Sequence, residues 1–544
     1  MENMADNRKA LGQFFTPRAL ADLMVHLVEH PADARILEPA AGTGVFVDSL
    51  RQAGFMDVTA LEIDPRLANG RAGVIVGDFF APAEPGRRWD VIIGNPPYVR
   101  WRNVPEATRR RFLGDPFWKN RLNGLADLLY PFIMHAVDRL EPGGELVFVT
   151  PSFWLTAAHA EAVRKALLDS GAVRSVILFD EKQVFDGVST NAAIFRFVKG
   201  AEKWPVRVYR LTGKGRLDSA DLADLGTALR GGRVGGVEQF QAPHPRDAAP
   251  WHLMTARQAE AVEVVETACR LDGRTSTLGD VADIANGMVS GLDLAFRLDE
   301  GDGVPLDETD GTVSAMRASG LRQLVPTAPH RYIYLNHVAS EFELARRYPT
   351  LYARLRPHRP DLEARYQYGR AIPWWHWVFP RNEKALRAAG DKIVVPCKER
   401  FDGRGHVRFA IVPAGTLIVQ DTTAIIPKPG TREDVRYLAA WLTSAAMFGW
   451  LKAKGRLRGG VLEFSEAPLA AMPVRLIDWN DPDERAGHDR IVTAAALAEQ
   501  GRYPVSEALK VAEQEFAKLM QPNRRLVVPA FGRDPMSEAV NTHL

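Results

Sequence analysis

The chain has 544 residues, enough for roughly 2–4 domains of about 150 residues each. Apolar residues make up 46% and charged residues 25%, so there is ample material for buried cores and a disordered chain is excluded. Two cysteines, Cys269 and Cys397, exclude a disulfide scaffold or a Cys-rich zinc site and point to a reducing compartment. No run of 18 apolar residues occurs, and the polar start from Met1 to Asn7 does not read as a signal peptide, so a cytoplasmic protein is expected. The net charge of +2 conceals two local surpluses. Residues 321–410 hold 17 Lys/Arg against 8 Asp/Glu, and residues 100–121 hold 7 against 2, among them Arg109, Arg110 and Arg111. Such surpluses suit either a phosphate-binding cleft or a solvated face.

In chain order, Pro17 to His30 reads as an amphipathic helix with Thr16 as its N-cap and Pro17 at its first position. Short apolar runs then alternate with helical periods. Strands are predicted at 35–38, 58–63, 74–77, 89–93, 145–150 and 173–179, and helices at 45–54, 125–140 and 156–170. Continuous apolar strands separated by helices predict a parallel, doubly wound α/β sheet with its ligand site at the carboxyl ends of the strands. Beyond about Arg210 the pattern breaks, and 230–250, rich in Gly and Pro, reads as a linker or long loop. An aromatic-basic stretch runs from Arg354 to Phe401, and 484–519 reads as two amphipathic helices.

The first strand runs into Glu38-Pro39-Ala40-Ala41-Gly42-Thr43-Gly44, which opens a helix. Gly42 and Gly44 permit a tight turn and close approach of a ligand to the backbone. Eighteen residues past Gly44 the second strand ends in Glu62-Ile63-Asp64, where a carboxylate can accept from both hydroxyls of a ribose. A structural βαβ turn would show the same glycines. The third glycine of a dinucleotide fingerprint is missing, with bulky Phe46 at the nearest position, which argues against NAD. Glu38 can balance a sulfonium or amine, Asp78 can accept from an adenine amino group, and Phe79 can pack on its ring. S-adenosylmethionine meets all four requirements, with S-adenosylhomocysteine as product.

The fourth strand leads into Asn95-Pro96-Pro97-Tyr98. Consecutive prolines stiffen the backbone and expose carbonyls. The Asn95 side-chain oxygen and the Pro96 carbonyl make two acceptors for the two hydrogens of an exocyclic amino group. Such a nitrogen is conjugated with its ring and is a poor nucleophile; two acceptors draw it toward a tetrahedral geometry and localise its lone pair. Tyr98 supplies a stacking face, worth about 1–3 kcal/mol per base. This chemistry calls for no metal.

These motifs resemble the gamma-class amino-methyltransferases of DNA, of the TaqI-like type. Gly12-Gln13-Phe14-Phe15-Thr16-Pro17 resembles their amino-terminal cofactor segment, in which Thr16 would touch the methionine part of the cofactor. Asp127-Leu128-Leu129-Tyr130 and Leu140-Glu141-Pro142-Gly143-Gly144-Glu145-Leu146 match the helix and strand that follow. Phe185-Asp186-Gly187-Val188-Ser189-Thr190 resembles the late hairpin whose Phe stacks on the flipped base, with Phe179 and Phe195 as nearby competitors. Ala285-Asn286-Gly287-Met288, 369–377 and Asp421-Thr422-Thr423 look like landmarks of the TaqI-like specificity domain.

The resemblance implies a Rossmann-like, doubly wound methyltransferase domain at 1–245, a mixed α+β target-recognition domain at 246–475 and a helical tail at 476–544. It assigns Asn95, Pro96, Pro97 and Tyr98 to catalysis, and Tyr98 and Phe185 to base stacking. Thr16, Glu38, Ala40, Gly42, Gly44, Glu62, Ile63, Asp78, Phe79 and Asn95 would bind the cofactor. Candidate DNA contacts are Arg109, Arg110, Arg365, Arg370, Trp374, Arg381 and Lys398, with Trp374 to Trp377 also suiting a buried aromatic cluster and His376 a structural role. The substrate would be double-stranded DNA, from which the target base must be flipped. Adenine N6 is favoured over cytosine N4 by Asn at the motif's first position. RNA or protein-glutamine methylation, and a binding module that kept the fold, are the more distant readings. No nuclease fused to the chain is expected; a separate cognate restriction endonuclease is a compatible partner, and the setting would be bacterial, cytoplasmic and nucleoid-associated.

Overall fold

The structure is a computed structural model that describes residues 14–68, 73–81, 86–104, 106–115, 118, 127–185, 191–271, 273–299, 301–400, 406–458 and 461–521. The chain divides into two compact units, residues 1–260 with 457–460, and residues 261–456 with 461–544. Among the described residues no helix is long and apolar enough to cross a membrane.

The principal elements of the first unit are α1 (Arg18–Val25), β1 (Ile36–Glu38), α2 (Val45–Gln52), β2 (Val58–Glu62), β3 (Val74–Val76), β4 (Trp89–Gly94), α3 (Glu106–Gly114), α4 (Leu129–Arg139), β5 (Leu140–Pro151), α5 (Glu161–Ser170), β6 (Gly171–Leu178), β7 (Ala192–Lys199), β8 (Val206–Leu211), α6 (Ser219–Leu229) and β9 (Val237–Ala242). They build one nine-stranded sheet in the order β9-β8-β6-β7-β5-β4-β1-β2-β3. Alternation along each central strand sends side chains to opposite faces. Ile92, Leu146 and Phe148 join a core with Ile133 and Val137 of α4 and Val163 and Leu167 of α5. Val91, Ile93, Val147 and Val149 join another with Leu20 and Met24 of α1, Leu50 of α2 and Leu225 of α6. Each such side chain, fully buried, stabilises the fold by about 2 kcal/mol relative to exposure. Both faces being covered explains why these strands read as unbroken apolar runs.

The sheet is mixed, where the sequence pattern predicts a parallel one. β7 lies antiparallel between β5 and β6, and β9 lies antiparallel on β8. The Gly/Pro-rich stretch at 230–250 is therefore no simple linker: it contains an edge strand. Arg164, 1% exposed, holds the residues beyond that strand by donating to the Ala248 carbonyl at 2.8 Å and to those of Trp154 and Ala157, also at 2.8 Å. Thr16 does not cap α1. Pro17 occupies the cap position without a side-chain hydrogen bond, which leaves the Thr16 hydroxyl for another partner.

β1 is flanked by β2 and β4, both parallel to it, so the winding direction reverses between β1 and β4. In open α/β sheets ligands bind outside the carboxyl ends of the strands at such a reversal.

Beside the sheet, His135 of α4 lies edge-on to Phe79 with ring centres 4.9 Å apart. Burial pushes its imidazole from the ordinary 6.5 down to about 4. The unfolded chain therefore takes up a proton between those values that the folded chain refuses, and stability falls as pH drops through that window, by at most about 3 kcal/mol. His135→Phe is expected to flatten this acid-side loss in urea unfolding followed from pH 7 to pH 5; an unchanged slope would refute the assignment.

In the second unit, β10 (Ala282–Asn286), β11 (Arg297–Leu298), β12 (Thr312–Met316), β13 (His330–Ile333), β14 (Lys392–Pro396), β15 (Lys398–Arg400), β16 (Ala410–Val412), β17 (Leu417–Ile418), β18 (Thr422–Pro427) and β19 (Val461–Glu463) build small sheets. Two are four-stranded, β10-β18-β14-β16 and β11-β13-β12-β17. The landmarks at 285–288 and 421–423 meet: Asn286 pairs with Thr423, and a Cβ on Gly287 would lie 2.0 Å from the Val419 carbonyl. α7 (Val435–Thr443), α8 (Pro482–Glu499) and α9 (Val505–Leu519) pack together within this unit, with Trp441 and Tyr437 edge-on to Phe516.

Candidate active site

The turn after β1 is pinned from several sides. Ala41 N–H donates to the Leu61 carbonyl at 2.8 Å and Gly44 N–H to the Ala41 carbonyl at 2.7 Å. Gly42 and Gly44 adopt φ of +53° and +75°, the left-handed region that other residues enter only with strain. The buried Glu62 carboxylate ties this turn to the end of β2: Oε2 accepts from Gly42 N–H at 2.7 Å and Oε1 from Asp64 N–H at 2.9 Å. Each carboxylate oxygen has a second lone pair with which to accept from a ligand. Glu38 is wholly buried at the end of β1, Ala40 is half-buried, and Ile63 is 60% exposed, an apolar face beside the carboxylate. Asp78 follows β3 and accepts from Phe80 N–H at 2.9 Å. This donor and acceptor set fits an adenosine-bearing ligand.

Phe79 departs from its expected part in that set. Its ring is 2% exposed, stacked on Phe132 at 5.1 Å with the Arg139 guanidinium 5.1 Å away, so it belongs to the core rather than to an open ligand face. Only the polypeptide backbone at that position is left to offer.

At the end of β4 the Asn95 carboxamide is held at both ends. Nδ2 donates to the Phe14 carbonyl at 2.8 Å and to Thr16 Oγ1 at 3.1 Å, while Oδ1 accepts from the Tyr98 hydroxyl. That hydroxyl also lies 2.9 Å from the Val149 carbonyl, so its single proton has two acceptors. Burial, and next the Asp127 charge, raise the Tyr98 phenol well above its usual range, which keeps it a donor. Asp127 is itself raised by burial; its chain bridges Arg100, and Leu128 N–H donates to the Val99 carbonyl at 2.9 Å, fixing the residues after Pro96 and Pro97.

Three rings gather here. Phe14 is stacked on Tyr98 at 5.6 Å, and Phe185 lies 6.4 Å from Tyr98 and 6.2 Å from Phe14. Of the competing phenylalanines, Phe179 is fully buried in the core and Phe195 packs on Trp154 at 4.9 Å. Residues 186–190, the remainder of the late-hairpin motif, lie outside the described residues, as do Gly12 and Gln13. The part played by Phe14 was not legible from spacing; its only signal is membership of the segment before Pro17.

The candidate DNA contacts separate. Arg365 is structural: it donates to the carbonyls of Ser290 at 3.0 Å, Pro373 at 3.3 Å, Trp374 at 3.2 Å and His376 at 2.5 Å, and burial lowers its guanidinium to about 10. Trp374 is 5% exposed in the aromatic core with Trp375 and Trp377, so it is no wedge, and His376 hydrogen-bonds the Val338 carbonyl. Arg381, half-buried, donates to the Gly287 carbonyl at 2.7 Å. Arg370 and Lys398 are exposed. Near Arg370 stand Tyr366 and Tyr368, 75% and 44% exposed, with rings 4.8 Å apart. In the first unit Arg110 is exposed and pairs with Glu106, and Arg109 is half-buried. Among the described residues no cluster of three or more His, Cys, Asp or Glu is placed to hold a metal ion.

Comparison with known proteins adds to this geometry. Residues 74–185 match the Eco57I restriction-modification methylase family and residues 1–57 the N-6 DNA methylase family. The chain is 34% identical to the type II methyltransferase M.HindII of Haemophilus influenzae over 495 residues, covering 90% of this chain and 94% of that one. It is 32% identical to the type II methyltransferase M.HincII of the same species, with the same shares covered. Its fold is similar to that of the type IIL restriction-modification enzyme MmeI, solved in complex with DNA. The TM-score is 0.56 at 12% identity, covering 92% of this chain and 72% of the other.

Proposed function

The chain belongs to the type II methyltransferases, enzymes of site-specific DNA methylation that use S-adenosylmethionine, and from that premise we propose that it methylates N6 of an adenine turned out of duplex DNA. The observation that carries this reading is the Asn95 carboxamide at the reversal of the sheet, its nitrogen anchored on residues 14 and 16 and its oxygen turned toward Tyr98. Bound cofactor supplies an electrophilic methyl group on a sulfonium. Asn95 Oδ1 and the Pro96 carbonyl accept the two amino hydrogens of the target, directing its lone pair outward. Tyr98 and Phe185 offer ring faces to the base, and a base entering between them displaces Phe14 from Tyr98. Glu62 accepts from ribose hydroxyls, Asp78 from the cofactor's adenine amino group, and Glu38 balances positive charge.

The match to the N-6 DNA methylase family supports adenine over cytosine. The order of motifs supports a gamma-class, TaqI-like enzyme, with the second unit as its target-recognition domain. Of the candidate contacts in that unit, Arg370 and Lys398 are the exposed ones, which suits phosphate contacts that would position the duplex while other groups read bases.

Nucleoside mass spectrometry tests the reading directly. Mixed-sequence duplex DNA incubated with the protein and isotopically labelled S-adenosylmethionine is expected to yield label in N6-methyladenine. Label in N4-methylcytosine would overturn the target base, and label in neither would overturn the function.

A further inference from the structure

We propose that Thr16 is a positioning residue for Asn95, its hydroxyl holding the carboxamide in the plane from which the amide oxygen meets the target amino group. The inference rests on the reading of Asn95 given above and extends it to a residue that the family resemblance assigns only to the cofactor.

An asparagine side chain has two orientations that differ in whether oxygen or nitrogen occupies a given point. Only the oxygen can accept an amino hydrogen; the nitrogen would set N–H against N–H. In the structure Nδ2 has two protons and two acceptors, the Phe14 carbonyl at 2.8 Å and Thr16 Oγ1 at 3.1 Å. Reversing the amide would lose the bond to the Phe14 carbonyl and bring Oδ1 against its lone pairs, whereas the Thr16 hydroxyl, donor as well as acceptor, holds whichever end faces it. The Phe14 carbonyl therefore selects the productive orientation, and the Thr16 hydroxyl fixes the plane of the amide, before any base arrives.

Thr16 is able to do this because of its local setting. A threonine just ahead of a helix ordinarily spends its oxygen on the first free N–H groups. Here the cap position is taken by Pro17, and α1 has no side-chain cap. Thr16 is 9% exposed, so solvent has little access to replace the hydroxyl if it is removed. The segment that carries Thr16 and Phe14 thus holds the amide, in addition to the part toward the cofactor that the resemblance gives Thr16.

The test uses the full chain with Thr16→Val, which keeps the shape and removes the hydroxyl, Thr16→Ser, which keeps the hydroxyl and removes the methyl, and Thr16→Ala should the valine variant fold poorly. Turnover at saturating cofactor is measured alongside calorimetric affinity for S-adenosylhomocysteine. Thr16→Val is expected to lower kcat about tenfold, the weight of one orienting hydrogen bond, with product affinity within about threefold of the parent and Thr16→Ser close to the parent in both. A valine variant with unchanged kcat and weakened S-adenosylhomocysteine binding would make Thr16 a cofactor ligand only. A serine variant as slow as the valine variant would make its role packing. Asn95→Ala measured in parallel separates the two readings. If it keeps its turnover, the assignment of Asn95 itself fails; if it is inactive while Thr16→Val is normal, only the inference about Thr16 fails.

Discussion

Asn95→Ala is expected to lower turnover roughly 100- to 1000-fold, the cost typical of removing one preorganised group at a developing charge. S-adenosylhomocysteine affinity should change by no more than about threefold, because Glu62 and the Gly42–Gly44 turn are untouched and one lost contact is worth about 1 kcal/mol or less. On the proposed reading the substitution deletes the oxygen that accepts from the target amine. It also frees the Phe14 carbonyl and Thr16 Oγ1, a modest loss beside that of the reacting contact. Asn95→Asp sharpens the point. It keeps an acceptor toward Tyr98 but sets a second oxygen against the Phe14 carbonyl, 2.8 Å from where Nδ2 now donates. An aspartate variant should therefore be both inactive and less stable than the alanine variant. Calorimetric titration with S-adenosylhomocysteine and burst-phase methyl transfer check both statements; near-normal transfer by the alanine variant would overturn the assignment.

The parts of this molecule legible in the sequence are those that local chemistry determines. β1, β4 and β5 are apolar on both faces because helices cover both faces, so their continuous runs mark them. Gly42 and Gly44 stand where positive φ is required, and Asn95 to Tyr98 follow β4 at the reversal of the sheet. What depends on partners far along the chain was harder to read. β7 has an ordinary strand pattern, yet nothing in Ala192–Lys199 says that it inserts antiparallel between β5 and β6. β9 is hidden because an edge strand with little burial resembles a loop when glycines and prolines surround it. Phe79 beside Asp78 looks the same whether its ring packs a ligand or, as here, Phe132. A guanidinium likewise carries no sign of whether it meets solvent or backbone.

That last ambiguity gives the second large effect, in the pair Arg365 and Arg370. Arg365→Ala is expected to destabilise the second unit by about 3 kcal/mol or more. Hydrogen bonds from a charged donor are worth about 1.5–3 kcal/mol, and the substitution strands several half-buried carbonyls at once. Its guanidinium spans Ser290, Pro373, Trp374 and His376, so its loss releases the loop that seats Trp374, Trp375 and Trp377 in the core. Arg370→Ala removes an exposed guanidinium that donates to the Val378 carbonyl at 3.0 Å and lies 5.5 Å from the Phe379 ring centre, and should lower Tm far less than Arg365→Ala does. If Arg370 meets a phosphate, the same change weakens DNA binding across all sequences and reduces the slope of log affinity against log salt by about 1. The two arginines stand five residues apart in a stretch whose basic surplus suggested one shared role. Thermal unfolding with salt-dependent DNA titration assigns them opposite ones: a Tm loss without a change of salt slope for Arg365, and the reverse for Arg370. Equal Tm losses would mean that Arg370 also serves the loop rather than the duplex.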